Sequence, residues 1–384
     1  MNTLDFNSSH TIDLQASTLI ELLQLRALNE PERRGYIFLD DGESEESVWT
    51  YAELYRRARA IAALLQQHTA KGERALLFYP PGLEFIAAFF GSLYAGVIAV
   101  PVYPPNPGQL ERSMLRIQAL MESAKPAIVL TTAKILNRIP PLLMHRSDIP
   151  RERWLVTDEI AEHWENEWKR PEVDCQTLAF LQYTSGSTGT PKGVMLTHGN
   201  LLHNSSLIHR SFQNTSETHG VIWLPPYHDM GLIGGILQPL YGGFPVTLMS
   251  PTAFLQRPFR WLQAISKYRA TSSGGPNFAY DICVKRISAE QKTALDLSSW
   301  RLAFNGAEPI RQETMDRFVA AFEECGFRRE AFFTCYGLAE ATLIVSGGRK
   351  YLSSKLASIV DNGSVAVANP SVSSGQILPD QKIV

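Results

Sequence analysis

Residues 183–194 read Tyr-Thr-Ser-Gly-Ser-Thr-Gly-Thr-Pro-Lys-Gly-Val, interleaving hydroxyl side chains with glycine and closing on a lysine. Gly186 and Gly189 let the backbone fold back without Cβ clashes, so that several N–H groups can converge. Thr184, Ser185, Ser187 and Thr188 add hydroxyl donors, and Lys192 adds a full positive charge. Such an array suits a polyphosphate, whose oxygens accept several charge-assisted hydrogen bonds at once. It is not a P-loop, because Pro191 stands directly before Lys192 where that motif has glycine. Nor is it a nucleophile elbow, since no serine here has glycine at both second neighbours. A mere linker would not sit between a strand predicted over 178–183 and the apolar run 194–196.

Three further polar clusters follow apolar runs. His228 lies in Tyr-His-Asp-Met-Gly-Leu, just after a strand predicted over 221–224. Asn305-Gly306-Ala307-Glu308-Pro309 ends a strand predicted over 301–305, and Tyr336-Gly337-Leu338-Ala339-Glu340 ends one over 332–335. The last two put glycine and polar groups just past the carboxyl end of a strand, where open α/β sheets bind ligands. Taken singly, each has an ordinary reading as a surface histidine, a strand-to-helix turn or a solvated carboxylate. His228 and Asp229 have no second ligand pair at zinc spacing, which excludes a structural zinc site there.

In this order the four motifs resemble those of the adenylate-forming superfamily, which holds acyl-CoA synthetases, luciferases, peptide-synthetase adenylation domains and fatty acyl-AMP ligases. The resemblance implies that Thr184, Ser185, Gly186, Ser187, Thr188 and Gly189, with Lys192, bind the phosphates of ATP. It implies that His228 borders the substrate carboxylate, and that Asn305, Gly306, Ala307 and Glu308 run along adenine. Tyr336, beside Gly337, would stack on that base, and Glu340 would help hold Mg²⁺. His228, Glu340 and Lys192 are the catalytic candidates. Ala339 departs from the superfamily, where a threonine usually donates to the α-phosphate; the loss is worth about 1.5–3 kcal/mol unless replaced.

The wording Gly-Leu-Ala-Glu-Ala-Thr, with Thr342 shortly after Glu340, resembles the fatty acyl-AMP ligase branch, as do Val-Pro-Val-Tyr-Pro-Pro, His-Asp-Met-Gly-Leu and Gly-Gly-Pro-Asn-Phe. That branch implies activation of a medium- or long-chain fatty acid by ATP to acyl-adenylate and pyrophosphate. The acyl group would pass to an acyl carrier protein, or to a carrier domain of a polyketide or peptide synthase. Residues 347–373 resemble the insertion that restrains the carboxy-terminal domain in this branch and disfavours the CoA reaction. A fatty acyl-CoA synthetase of the same fold and a catalytically weak nucleotide-binding fragment are the alternatives. Trp223, Ile233, Ile236 and Phe278 are expected to line the acyl tunnel.

These motifs need a scaffold, and 384 residues suffice for two or more cores. Apolar content of 45% and charged content of 19% suit a globular protein, and a net charge of −2 gives no electrostatic reason for nucleic acid binding. Cys175, Cys283, Cys325 and Cys335 form no C-x-x-C pair, which favours a reducing compartment. No signal peptide is evident at the amino terminus. Residues 85–100 carry no charge but are too short for a membrane span, and they read as a helix over 83–94 followed by a strand over 97–100. The expectation is a cytoplasmic protein.

Thr50 and Glu53 form a capping box ahead of a helix, and Asn200 is expected to cap one starting near Leu201. Strands alternate with helices throughout, which implies parallel, doubly wound layers. The expected fold is the α/β amino-terminal domain of the adenylate-forming, acyl-CoA synthetase-like class, with two stacked, doubly wound subdomains, 1–170 (with part of its sheet shared) and 171–384. The acidic stretch 158–174 is the expected boundary. Residues 375–384 resemble the strand leading into the superfamily's third subdomain, so that subdomain and the carboxy-terminal lid are expected to be largely missing. The isolated chain is then expected to be impaired in catalysis.

Overall fold

The computed structural model describes residues 16–44, 46–103, 110–137, 150–184, 191–348 and 372–378. Strands β1 (Arg34–Leu39) and β2 (Glu46–Thr50) form an antiparallel hairpin. Then come β3 (Arg74–Phe78), β4 (Ile98–Pro101), β5 (Ile128–Thr131), β6 (Trp154–Val156), β7 (Leu178–Thr184) and β8 (Lys192–Thr197). They make a six-stranded sheet in the order β6-β5-β3-β4-β7-β8, parallel except where β8 turns back on β7.

The remaining strands are β9 (Gly220–Ile222), β10 (Val246–Met249), β11 (Ser272–Gly275), β12 (Leu302–Asn305), β13 (Phe332–Gly337), β14 (Ile344–Gly348) and β15 (Gln376–Ile377). With the first hairpin they build a nine-stranded sheet, β15-β14-β13-β12-β11-β9-β10-β1-β2. Its central strands are parallel, and antiparallel strands close both edges. The sheets exchange strands along the chain: β1 and β2 join the later sheet, and β7 and β8 join the earlier one. A division between 170 and 171 therefore falls between β6 and β7 in sequence but does not separate the sheets.

Helix Leu83–Tyr94 shows why the charge-free stretch is no membrane span. It is apolar on every side, and every residue except Glu84 is buried, as expected of a helix inside a core. A Cβ on Gly91 would stand 2.5 Å from Ile61 Cγ2, so glycine sets how closely helix Tyr51–His68 approaches. That neighbour starts at the expected capping box. Thr50 Oγ1 accepts the Glu53 N–H at 3.2 Å, and the Glu53 carboxylate accepts the Thr50 N–H at 2.7 Å. Among the described residues no helix is long and apolar enough to cross a membrane.

Two local expectations change. Helix His198–Phe212 is capped by Thr197, not Asn200; Asn200 is its third residue and completes a capping box with Thr197. The acidic stretch is no loose boundary, because Trp168 Nε1 donates to the Tyr94 carbonyl at 2.8 Å and Arg59 lies 5.5 Å over the Trp168 ring.

Candidate active site

Thr184 and Lys192 face each other as the paired ends of β7 and β8. Ser185, Gly186, Ser187, Thr188 and Gly189 lie outside the described residues. Lys192 is exposed and Thr184 half-buried. Gln182, buried in β7, donates from Nε2 to the Tyr227 carbonyl at 3.0 Å. This buried amide ties the hairpin to the loop carrying His228, and nothing in sequence spacing singles it out.

His228 is exposed at the end of that loop, and its Nδ1 meets Asp229 Oδ1 at 2.6 Å. The same carboxylate oxygen accepts the Met230 N–H at 2.7 Å. This hydrogen bond holds His228 above the ordinary histidine pKa of 6.5, against the opposing effect of burial. The pair's stabilisation is therefore complete below about 6.5 and is lost as pH rises through the folded value. Asp229→Asn should bring the ring titration back towards the ordinary value in an NMR titration of His228; an unmoved titration would refute the pairing.

Beyond His228 the chain enters a π-helix, Met230–Leu237, which passes into helix Gln238–Gly242. Sequence reading expects an ordinary helix from 233. The wider turn is rare and is often found at functional sites. It divides the two neighbouring glycines. A Cβ on Gly235 would meet Ile222 Cγ2 at 2.9 Å, whereas on Gly234 it would find only Leu343 Cδ2 at 3.5 Å. Gly235 serves the packing of the helix on β9, and Gly234 lines a cavity.

That cavity, of ≈220 Å³, is walled by Ile208, Phe212, Met230, Phe304, Leu343 and Ile344, with His228 at its rim. The four expected liners are elsewhere. Trp223 stacks on Phe254 at 4.0 Å, and Ile233 and Ile236 are buried in the core. Phe278 stands edge-on to Trp223 and is partly exposed. In the π-helix it is Met230 and Gly234, not Ile233 or Ile236, that line the opening.

Ala307, Cys335, Tyr336 and Gly337 also line a second, open cleft of ≈880 Å³ with Glu308, Arg311 and Val372. The apolar cavity and this polar cleft thus meet at Tyr336, whose ring is half exposed. Cys335 cannot act as a thiolate nucleophile here, since burial pushes its pKa up to about 12. The cleft of ≈510 Å³ at Thr271, Leu302 and Ala331 opens at the amino ends of the strands and holds none of the motif residues.

The Asn305–Glu308 segment is held by a buried network. Asn305, fully buried, donates to Asn277 Oδ1 at 3.5 Å, and that oxygen also accepts the Arg311 N–H at 3.0 Å. Asn277 Nδ2 donates to Thr314 Oγ1 at 3.1 Å. Ala307 has φ +67, a left-handed conformation uncommon for a residue with a Cβ, in the strand-end turn itself. Glu308 turns away from Ala307, and its carboxylate accepts the Phe278 N–H at 2.6 Å, at the start of helix Asn277–Arg286. Its side chain caps a helix, which the motif alone does not reveal. Glu340 is exposed, and its carboxylate has no partner among the described residues. Ala339 is buried, so its methyl group packs inward.

The chain is 48% identical over 359 residues to the medium-chain-fatty-acid–(acyl-carrier-protein) ligase JamA of Moorena producens (strain JHB), covering 92% of this chain and 61% of that protein. It is 38% identical over 373 residues to the ligase of the same description, TtuA, of Teredinibacter turnerae, covering 87% and 57%. The crystal structure of a fatty acyl-adenylate ligase from L. pneumophila, in complex with acyl adenylate and pyrophosphate, superposes with a TM-score of 0.82 at 50% identity, covering 87% of this chain and 57% of that one. The chain thus spans about three fifths of the length of these relatives. The family described as AMP-binding enzyme matches residues 23–382, nearly the whole sequence, and the chain belongs to that family.

Proposed function

We propose that this chain provides the surface on which a fatty acid is activated by ATP to an acyl-adenylate, with transfer to a carrier protein to follow. One observation carries the reading: an apolar cavity with a histidine at its rim joins a polar cleft at Tyr336. A ligand with an apolar arm and a polar, nucleotide-bearing head fits that pair of spaces. The names of the similar ligases, two of them acting on medium-chain fatty acids with an acyl carrier protein, support the substrate and acceptor.

Lys192 and the hydroxyl groups of the 184–189 loop would hold the phosphates. Tyr336 would stack on adenine, against the backbone of Asn305, Gly306 and Ala307. With its Nδ1–H held by Asp229, His228 keeps Nε2 free to face the incoming carboxylate. A carboxylate oxygen attacks the α-phosphorus, the new O–P bond forms, and the bond to pyrophosphate breaks. No protein nucleophile is needed; in-line positioning and charge stabilisation do the work.

Glu340 fits magnesium. Its carboxylate is exposed and free, and no group of three His, Cys, Asp or Glu residues suited to a metal occurs among the described residues. Magnesium is commonly held by one or two carboxylates, with phosphate oxygens and water completing the shell. When bound, it would neutralise charge on the phosphates.

The test is incubation of the whole natural protein with ATP, Mg²⁺ and fatty acids of graded length. Acyl-adenylate and pyrophosphate should form in equal amounts, and the acyl group should move to a carrier's phosphopantetheine thiol. Absence of pyrophosphate release would overturn the reading, and efficient transfer to free CoA would overturn the acceptor. Gly234→Val should narrow the cavity and lower kcat/KM for the longest substrates by about tenfold or more, sparing the shortest. An equal loss at every chain length would remove Gly234 from the acyl path.

A further inference from the structure

Thr342 has φ 74 and ψ −63, and the Leu343 N–H donates to the Ala341 carbonyl at 3.0 Å. These are the marks of a γ-turn of the rare, strained hand, here centred on a β-branched side chain. Thr342 is buried. Such strain persists only where the surroundings over-determine it, and it concentrates at functional sites.

One side chain holds both flanks of the turn. Asn204, 1% exposed on helix His198–Phe212, donates from Nδ2 to the Ala341 carbonyl at 3.3 Å and to the Ile344 carbonyl at 3.0 Å. Its Oδ1 accepts the Ile344 N–H at 3.1 Å. The side chain therefore grips the backbone on both sides of Thr342. On the other side of the loop the Leu338 N–H donates to the Leu343 carbonyl at 2.9 Å. Glu340 rides on the short turn Ala339–Ala341 between these fastenings.

We infer that Asn204 is a positioning residue, which holds the strained turn at Thr342 and thereby fixes the Glu340 carboxylate against the site. The helix bearing Asn204 begins directly after β8, so one rigid element joins the phosphate-loop hairpin to the glutamate. The inference rests on the proposed role of Glu340 in binding metal and phosphate.

The experiment measures ATP affinity by calorimetry with and without Mg²⁺, together with the thermal unfolding midpoint, on the full chain. Asn204→Asp keeps the acceptor for the Ile344 N–H but loses both donations. It should cut the affinity gained from Mg²⁺ by about tenfold or more, as loss of a ligand-orienting partner does. Affinity for ATP without metal should stay within about twofold. Thr342→Gly removes the steric cost of the turn and leaves the Asn204 grip in place, so it should leave both the midpoint and the Mg²⁺ gain unchanged or raised. A lowered midpoint with the Mg²⁺ gain intact in Asn204→Asp would show that Asn204 is merely structural and overturn the inference. Glu340→Gln is the reference: if it abolishes the Mg²⁺ gain and Asn204→Asp does not, only the inference falls. If Glu340→Gln leaves that gain intact, the proposed role of Glu340 falls, and the inference with it.

Discussion

Glu340→Gln is expected to lower acyl-adenylate formation by about two to three orders of magnitude, the usual cost of removing one preorganised charge-stabilising group. The glutamate is exposed and unpartnered among the described residues, so the change should shift stability by no more than about 0.5 kcal/mol. Glutamine keeps the shape and loses the charge, which separates metal binding from packing. Single-turnover pyrophosphate release and a denaturant titration read the two effects separately. The loss should shrink at high Mg²⁺ if the carboxylate acts mainly through the cation. A rate within threefold of the parent at ordinary Mg²⁺ would remove Glu340 from the machinery.

Gly337→Ala should do the reverse and damage structure first. A Cβ there would stand 2.0 Å from the Leu343 carbonyl oxygen and 2.8 Å from its carbon, and both are backbone atoms that no rotamer can move. The pairing of β13 with β14, already irregular between Tyr336 and Gly337, would have to open. Overpacking of this kind costs about 3 kcal/mol, and adenosine binding should go with it as Tyr336 shifts. Gly348→Ala is the control. Its Cβ would come no closer to any atom than 3.4 Å, at the Gly375 Cα, and should be tolerated. Equal denaturation midpoints for the two variants would contradict this account.

Much of the scaffold is legible because it depends on neighbours in sequence. The Thr50–Glu53 box is a three-residue spacing, and Leu83–Tyr94 is an unbroken apolar run. The motif residues are likewise written in order, and His228, Ala307, Tyr336 and Gly337 do line adjoining spaces. What escapes sequence reading is decided across long separations. Glu308 is expected to run along adenine and does line the cleft with Tyr336, yet its carboxylate also accepts the N–H at a helix start 30 residues away. Asn204 looks like an ordinary helix polar residue until the β14 backbone is placed against it, 140 positions later. The four expected tunnel liners are a related case: none of them lines the ≈220 Å³ cavity, because Ile233 and Ile236 pack into the core while Trp223 stacks on Phe254 and Phe278 stands edge-on to Trp223.

The exchange of strands between the sheets has a consequence for how the protein is made. Leu39 of β1 pairs with Met249 of β10, about 210 residues later along the chain. At a synthesis rate of 5–20 residues per second, β1 waits roughly 10–40 s for its parallel partner to emerge. During that interval Tyr36, Ile37, Phe38 and Leu39, all buried in the finished sheet, have only the β2 side satisfied. An apolar strand with one open edge invites pairing with another nascent chain. The hairpin that closes one edge of the larger sheet is thus synthesised long before the strand that shelters it, so this topology leaves an apolar edge open to other nascent chains for longer than a sheet built from consecutive strands would.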